Sequence, residues 1–214
     1  MEQLSQLLLA LIVFLSLYLL GSSSLMGCIK ILALQGMCMG LLPLTIHEQG
    51  FHLRGFVLAI GMFILKGFII PQVLLYAIRE VKIRREMGPM IGYTTSLLIG
   101  AILIGVSFVL AERLPVPPGL RSSLLIPVSL ATMMMGMLMM ISRIKALTQV
   151  IGYLVFENGI YLFGLSISYE MPWLIEMGAL LDVFVAVFVM GIVINHIAQA
   201  FDSISTEKLT SLSD

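Results

Sequence analysis

Three ionisable residues, Lys66, Glu157 and Asp182, lie deep inside long apolar runs of this 214-residue chain. A charged side chain at the centre of a bilayer costs at least about 2.5–3.5 kcal/mol on insertion scales, so each must face protein or water, and function is the default reason for keeping it. One cation and two acids can pair electrostatically or exchange protons. Burial disfavours the charged form of such a group and a nearby opposite charge favours it, so a small change in surroundings moves the balance. Lys66 is eleven residues into its run, Glu157 twelve past Lys145 and Asp182 ten past Pro172. At 1.5 Å per residue all three lie about 15–18 Å deep, near the midplane, where they could form a lateral proton relay.

The neighbours of these residues carry polar atoms at helical spacing. Tyr153 is one turn before Glu157, Tyr161 one turn after, and Asn158 is adjacent, so a stripe of hydroxyl and amide groups could hydrogen-bond the carboxyl. Pro71 follows Lys66 by five residues and removes the backbone bond to the carbonyl of Gly67, which predicts a kink or a hydrated carbonyl beside the charge. Glu176 is only four residues into its run, about 6 Å from the surface, and reads as an interfacial acid supporting the site. His47, His52 and His196 sit near span ends without metal-ligand companions. The methionine-rich run 133–140 has no Cys or His partner and reads as adaptable packing. There is no phosphate loop, no nucleophile with a base and no haem or iron–sulfur ligand set.

The elements that position these residues are membrane-spanning helices. The chain is 59% hydrophobic and 11% charged, less than half the roughly 25% charge of a soluble domain, and its mean hydropathy is +1.07. At about 30 residues per pass there is room for about seven passes and none for a soluble catalytic domain. Apolar runs between charged or Pro/Gly-rich breaks give spans near 4–20, 26–46, 55–78, 90–111, 122–142, 145–168 and 172–199. The serines after Gly21, the charged stretch from Arg79 to Met87 and the cluster Pro115, Pro117, Pro118 and Gly119 cannot continue a helix through hydrocarbon, while Pro172 suits a first helical turn. Cys28 and Cys38, ten residues apart on one helix, are about 15 Å apart and cannot share a disulfide or a metal. The N-terminus lacks the basic region of a secretory signal, so the first run is kept as a span.

Twelve Lys and Arg balance twelve Asp and Glu, leaving no basic field for nucleic acid. Alternating spans put Lys30, Arg79, Lys82, Arg84, Arg85, Arg143, Lys145 and Lys208 on one side and Arg54, Arg113 and Arg121 on the other. The positive-inside bias places the larger set, and the C-terminus with it, in the cytoplasm. A weak repeat relates the halves: Ile29-Lys30-Ile31-Leu32 matches Ile144-Lys145-Ala146-Leu147, and Lys66-Gly67-Phe68 matches Asp182-Val183-Phe184 in depth. It divides the chain into a three-helix unit over 1–80, a linking helix and loops over 81–121, a second three-helix unit over 122–200 and a cytoplasmic tail over 201–214. Because four spans separate equivalent helices, the two units run parallel, unlike the inverted repeats of many transporters.

The stretch Ile151-Gly152-Tyr153-Leu154-Val155-Phe156-Glu157-Asn158-Gly159 resembles the hydrogenase-4 component E family of membrane proteins. So do Trp173 to Gly178, the acid Asp182 with Phe184 to Val187, Lys66 to Ala77 with its central Pro71, Pro118-Gly119-Leu120, and Leu209 to Leu212. The last three spans are also similar to the small K (4L-type) subunit of complex I and to the small C subunit of multisubunit cation/proton antiporters. In the complex I subunit a glutamate in each of the last two helices belongs to the hydrophilic axis, and Glu157 and Asp182 would be the counterparts. Two departures stand out: the complex I glutamate sits about one turn earlier, where this chain has Leu154, and the second acid here is Asp. The resemblance implies a membrane-arm subunit of a group 4 [NiFe]-hydrogenase or formate hydrogenlyase-type complex in a bacterial or archaeal cytoplasmic membrane. It would have no catalytic centre of its own, and would contribute Lys66, Glu157 and Asp182 to proton or cation movement. The nickel–iron site and iron–sulfur clusters would belong to hydrogenase-module partners, and the large channels to antiporter-like partners. A structural spacer, or a subunit of a cation antiporter, is the alternative.

The charge asymmetry makes one prediction directly. A reporter fused to Asp214 is active on the cytoplasmic face and inactive outside; the reverse pattern would overturn the assigned orientation.

Overall fold

A computed structural model describes residues 2–46, 53–81, 91–114, 124–144 and 146–167, together with 184, 187, 188 and 191. Every element among the described residues is helical. Helix α1 (Glu2–Gly21) ends at a glycine–serine turn, and α2 (Leu25–Ile46) follows at once. Ser24 caps α2: its hydroxyl accepts from the Gly27 amide at 3.3 Å and its carbonyl from the Cys28 amide at 2.9 Å. Helix α3 (Leu53–Ile64) passes through one π-helical turn (Leu65–Ile69) into α4 (Ile70–Val81). Then come α5 (Tyr93–Arg113), α6 (Leu125–Ser142) and α7 (Ala146–Ile167).

Five segments are long and apolar enough to cross a bilayer: Gln3–Gly21, Leu25–Thr45, Ala59–Arg79, Tyr93–Arg113 and Leu125–Ser142. Helix α7 is long enough at 22 residues, but Gln149, Glu157 and Asn158 dilute its apolarity. Its compensation is burial, since Ile151, Leu154, Val155, Glu157, Asn158, Leu162 and Leu165 are all shielded. The seventh expected span, 172–199, lies outside the described residues apart from four isolated positions.

Two apolar clusters fill the bundle. One gathers Leu19, Leu25, Ile29, Leu32, Leu74, Ile78, Met135, Met139, Leu147 and Ile151 with their neighbours. The other gathers Leu8, Ile12, Met39, Leu42, Met62, Val128, Leu162 and Leu165. Helix α7 lies along α6 because glycines remove the intervening side chains. A Cβ at Gly136 would overlap the backbone of Phe156, and one at Gly159 would come within 2.6 Å of the Met133 nitrogen. Met133 and Met140 pack against Gly159 and Gly152, so the methionine run works as packing where it has been placed. Helix α5, by contrast, turns Leu98, Ile102 and Val109 outward, the apolar surface that hydrocarbon contact requires.

Arg143 departs from the sequence expectation. Counted as a charge displayed at the membrane surface, it is instead 1% exposed. Its Nη2 donates to the Leu20 carbonyl at 2.6 Å and its guanidinium lies 4.5 Å from the Tyr93 ring centroid. The carbonyls at the end of α1 have no intrahelical donor, so a cation there satisfies both hydrogen bonding and the helix dipole. The contact gathers the α1–α2 turn, the start of α5 and the α6–α7 turn at one end of the bundle, as alternating spans require.

Packing of this kind has a testable asymmetry. Gly136→Ala costs about 1–3 kcal/mol through overpacking, whereas Gly105→Ala, with nothing within 4 Å of the added carbon, is neutral or slightly stabilising. Unfolding of the purified variants in mixed detergent, followed by circular dichroism, measures both.

Candidate functional site

Between the two apolar clusters each inner helix contributes a polar residue. On α1, Ser16 separates Ile12 from Leu19; on α2, Gln35 separates Leu32 from Met39; on α7, Glu157 and Asn158 separate Val155 from Leu162. Lys66 occupies the same level in the π-helical turn, between Met62 and Ile70. A polar layer therefore crosses the middle of the bundle, enclosed by hydrocarbon on both sides.

The π turn places Lys66 there. Pro71 has no N–H and can donate to neither the Gly67 nor the Lys66 carbonyl. The preceding turn widens, and the Ile70 amide bonds five residues back to the Leu65 carbonyl. The kink or hydrated carbonyl expected beside Pro71 is thus realised as one wide turn. Gly36 of α2 seats this turn, because a Cβ there would stand 2.5 Å from the Lys66 carbonyl oxygen. Gly40, four residues on, accepts Phe63 at similarly close range.

Lys66 is 5% exposed, Glu157 2% and Asn158 2%. Lys66 Nζ lies 3.7 Å from Glu157 Oε1 and donates to Asn158 Oδ1 at 3.0 Å. It also sits 5.9 Å from the centroid of the Tyr161 ring, within cation–π range. Asn158 Nδ2 donates to Gln35 Oε1 at 3.4 Å, Gln35 Nε2 to Ser16 Oγ at 3.0 Å, and Ser16 Oγ to the Ile12 carbonyl at 2.8 Å. Beside the lysine is a cavity of about 10 Å³, lined by Leu32, Gly36, Lys66, Ile70, Leu154 and Asn158, room for about one water.

Of the residues singled out from sequence, the structure brings Lys66, Glu157, Asn158, Tyr161 and Pro71 together. Tyr161 meets Lys66 through its ring, where the sequence suggested a hydroxyl contact to Glu157. Tyr153, half-buried, packs against the Leu147 and Ile151 side of the apolar cluster. Asp182 and Glu176 lie outside the described residues. Gln35 and Ser16 were not recognised as site residues from sequence. The available signal was an amide ten residues into an otherwise apolar span, a position where an uncharged polar group requires a partner as a charge does. Among the described residues no three His, Cys, Asp or Glu side chains converge.

The chain is 27% identical over 188 residues to an uncharacterised protein of Mycobacterium tuberculosis, covering 87% of this chain and 85% of that protein. It is 28% identical over 152 residues to hydrogenase-4 component E of Escherichia coli K12, covering 70% of this chain and 69% of that protein. The chain is a homologue of hydrogenase-4 component E. Component E of Shigella flexneri matches to the same extent. No protein-family model and no solved structure matches the chain. Homology to component E agrees with the resemblance read from the Glu-Asn-Gly segment and the Lys66 to Ala77 stretch.

The chemistry of the site is that of a coupled acid and base held by a neutral amide. The ammonium keeps its bond to Asn158 whether Glu157 is ionised or protonated, so the pair can change charge without rebuilding the helix contacts. Breaking it one-sidedly is costly. Lys66→Met leaves a buried carboxyl without its cation and destabilises by on the order of 3 kcal/mol, while Lys66→Met with Glu157→Leu recovers most of the loss. Unfolding midpoints of the two variants against wild type check this.

Proposed function

We propose that the chain is a membrane-arm subunit of a hydrogenase-4-type complex, and that Lys66 and Glu157 contribute to proton or cation translocation coupled to electron transfer. The observation that carries the reading is a Lys–Glu pair separated by 3.7 Å in the middle of an apolar bundle. Intramembrane ionisable residues of this kind are expensive, face the bundle interior and mark ion pathways. Glu157 takes up and releases a proton, Lys66 supplies the compensating charge, and Asp182 is the next acid in the relay. Electron transfer elsewhere in the complex changes the charge facing one end of the relay, and the pair responds electrostatically. The π turn supports this role, since single π turns occur frequently at functional sites.

The remaining parts of the reading follow from the homology and the charge count. The nickel–iron centre and iron–sulfur clusters lie in hydrogenase-module subunits, and antiporter-like subunits share the arm. The chain sits in a bacterial or archaeal cytoplasmic membrane, N-terminus outside, as two parallel three-helix units joined by α5. Glu176, Tyr153, Asn158 and Tyr161 support the relay.

The complex co-purified with a C-terminally tagged chain tests both halves. It contains hydrogenase and antiporter-like subunits, and in it Glu157→Gln lowers protons moved per electron pair while the subunits remain assembled. Normal coupling in both Glu157→Gln and Lys66→Met would leave the pair as a helix-packing device, and antiporter-like subunits without a hydrogenase module would shift the assignment to a cation antiporter.

A further inference from the structure

The four hydrogen bonds that link Lys66 to α1 all point the same way. Lys66 donates to Asn158, Asn158 to Gln35, Gln35 to Ser16, and Ser16 to the Ile12 carbonyl, at 3.0, 3.4, 3.0 and 2.8 Å. A primary amide has an oxygen face and an NH₂ face, and a half-turn of the side chain exchanges them. Only the oxygen attracts an ammonium. The choice is made at the far end of the chain, because a backbone carbonyl accepts and cannot donate. Ser16 must donate into Ile12, which leaves its oxygen to accept the Gln35 NH₂. That turns the Gln35 oxygen towards the Asn158 NH₂, and the Asn158 oxygen towards Lys66. Ser16 is 1% exposed and Gln35 0%, so bulk water does not stand in for a missing member.

We propose that Gln35 and Ser16 are positioning residues for Lys66, acting through Asn158. They hold the ammonium on the amide oxygen at 3.0 Å and so keep it 3.7 Å from Glu157 Oε1, beyond ordinary hydrogen-bond length. The pair remains an ion pair that has not collapsed into contact, and Glu157 stays able to exchange its proton. The branch itself ends on a carbonyl and runs through two amides, which have no acidic proton to pass on, so it anchors the lysine without conducting away from it. The structural half of this inference stands alone; its consequence for coupling rests on the translocation role proposed above.

The test uses the full chain, labelled with ¹⁵N-lysine in lipid bilayers, and the Lys66 side-chain resonance identified by its loss in Lys66→Met. Gln35→Met keeps side-chain length and removes the amide; it shifts that resonance while the four other lysines keep theirs. Asn158→Leu shifts it too, and the double variant shifts it no further than Asn158→Leu alone. Ser16→Ala, which removes a single oxygen and serves if Gln35→Met does not fold, produces a smaller shift in the direction of Gln35→Met. An unmoved resonance in the folded variant overturns the positioning role, and an added shift in the double variant overturns the route through Asn158. In the assembled complex, Gln35→Met lowers protons moved per electron pair towards the level of Asn158→Leu. Normal coupling in Lys66→Met and Glu157→Gln would remove the translocation reading and leave the resonance shift standing. Loss of coupling in those two, with a shifted resonance and normal coupling in Gln35→Met, would overturn the functional half of the inference alone.

Discussion

An ammonium in hydrocarbon is the constraint around which this bundle is arranged. Placing a lysine at mid-depth costs about 2.5–3.5 kcal/mol on insertion scales. One hydrogen bond to a charged group returns about 1.5–3 kcal/mol and a cation–π contact about 0.5–2 kcal/mol. Asn158 and Tyr161 supply these two, so Lys66 is accommodated by neutral groups before its attraction to Glu157 is considered. The acid is thereby left as a chemical partner of the lysine, with helix packing carried mainly by other contacts.

Those contacts are apolar and close. Two hydrophobic clusters bracket the polar layer, and glycines bring the polypeptide backbones together where the layer must be narrow. Gly36 admits the π turn, and Gly136, Gly152 and Gly159 seat α7 on α6. Without side chains between them, the helices hold Asn158, Gln35 and Ser16 within hydrogen-bonding reach of one another. Arg143 closes one end of the bundle with a second buried cation on a backbone carbonyl and an aromatic ring. The same solution, a cation met by neutral dipoles and a π face, is used twice.

Helix α7 shows how burial and function are linked. It carries the acid and the amide of the polar layer, and it is the described helix of spanning length whose polarity keeps it out of the set that could cross hydrocarbon unaided. Its neighbours make up the difference by covering it nearly all round. A helix that must be enclosed to exist in a bilayer is also one whose polar groups are kept from lipid, and both properties follow from Glu157 and Asn158.

Much of this was legible in the chain itself. Apolar run length determined the helical architecture and the six described spans, whose ends agree with the structure to within a few residues, because hydrocarbon thickness leaves little freedom in helix length. Lys66 and Glu157 were legible as a pair at common depth for the same reason: a charge inside such a run has few places to go. What only the tertiary structure decided was which groups touch. Helical periodicity says which face a residue shares, and it does not say which helix lies opposite. So Tyr161 offered its ring where a hydroxyl was expected, Arg143 turned inward, and Gln35 and Ser16, silent as uncharged residues in apolar sequence, became the chain that orients Asn158. Pro71 announced a local departure from α geometry, but whether it became a kink or a π turn depended on Gly36 leaving room for the Lys66 carbonyl, a fact written thirty residues away and expressed only when the two helices met.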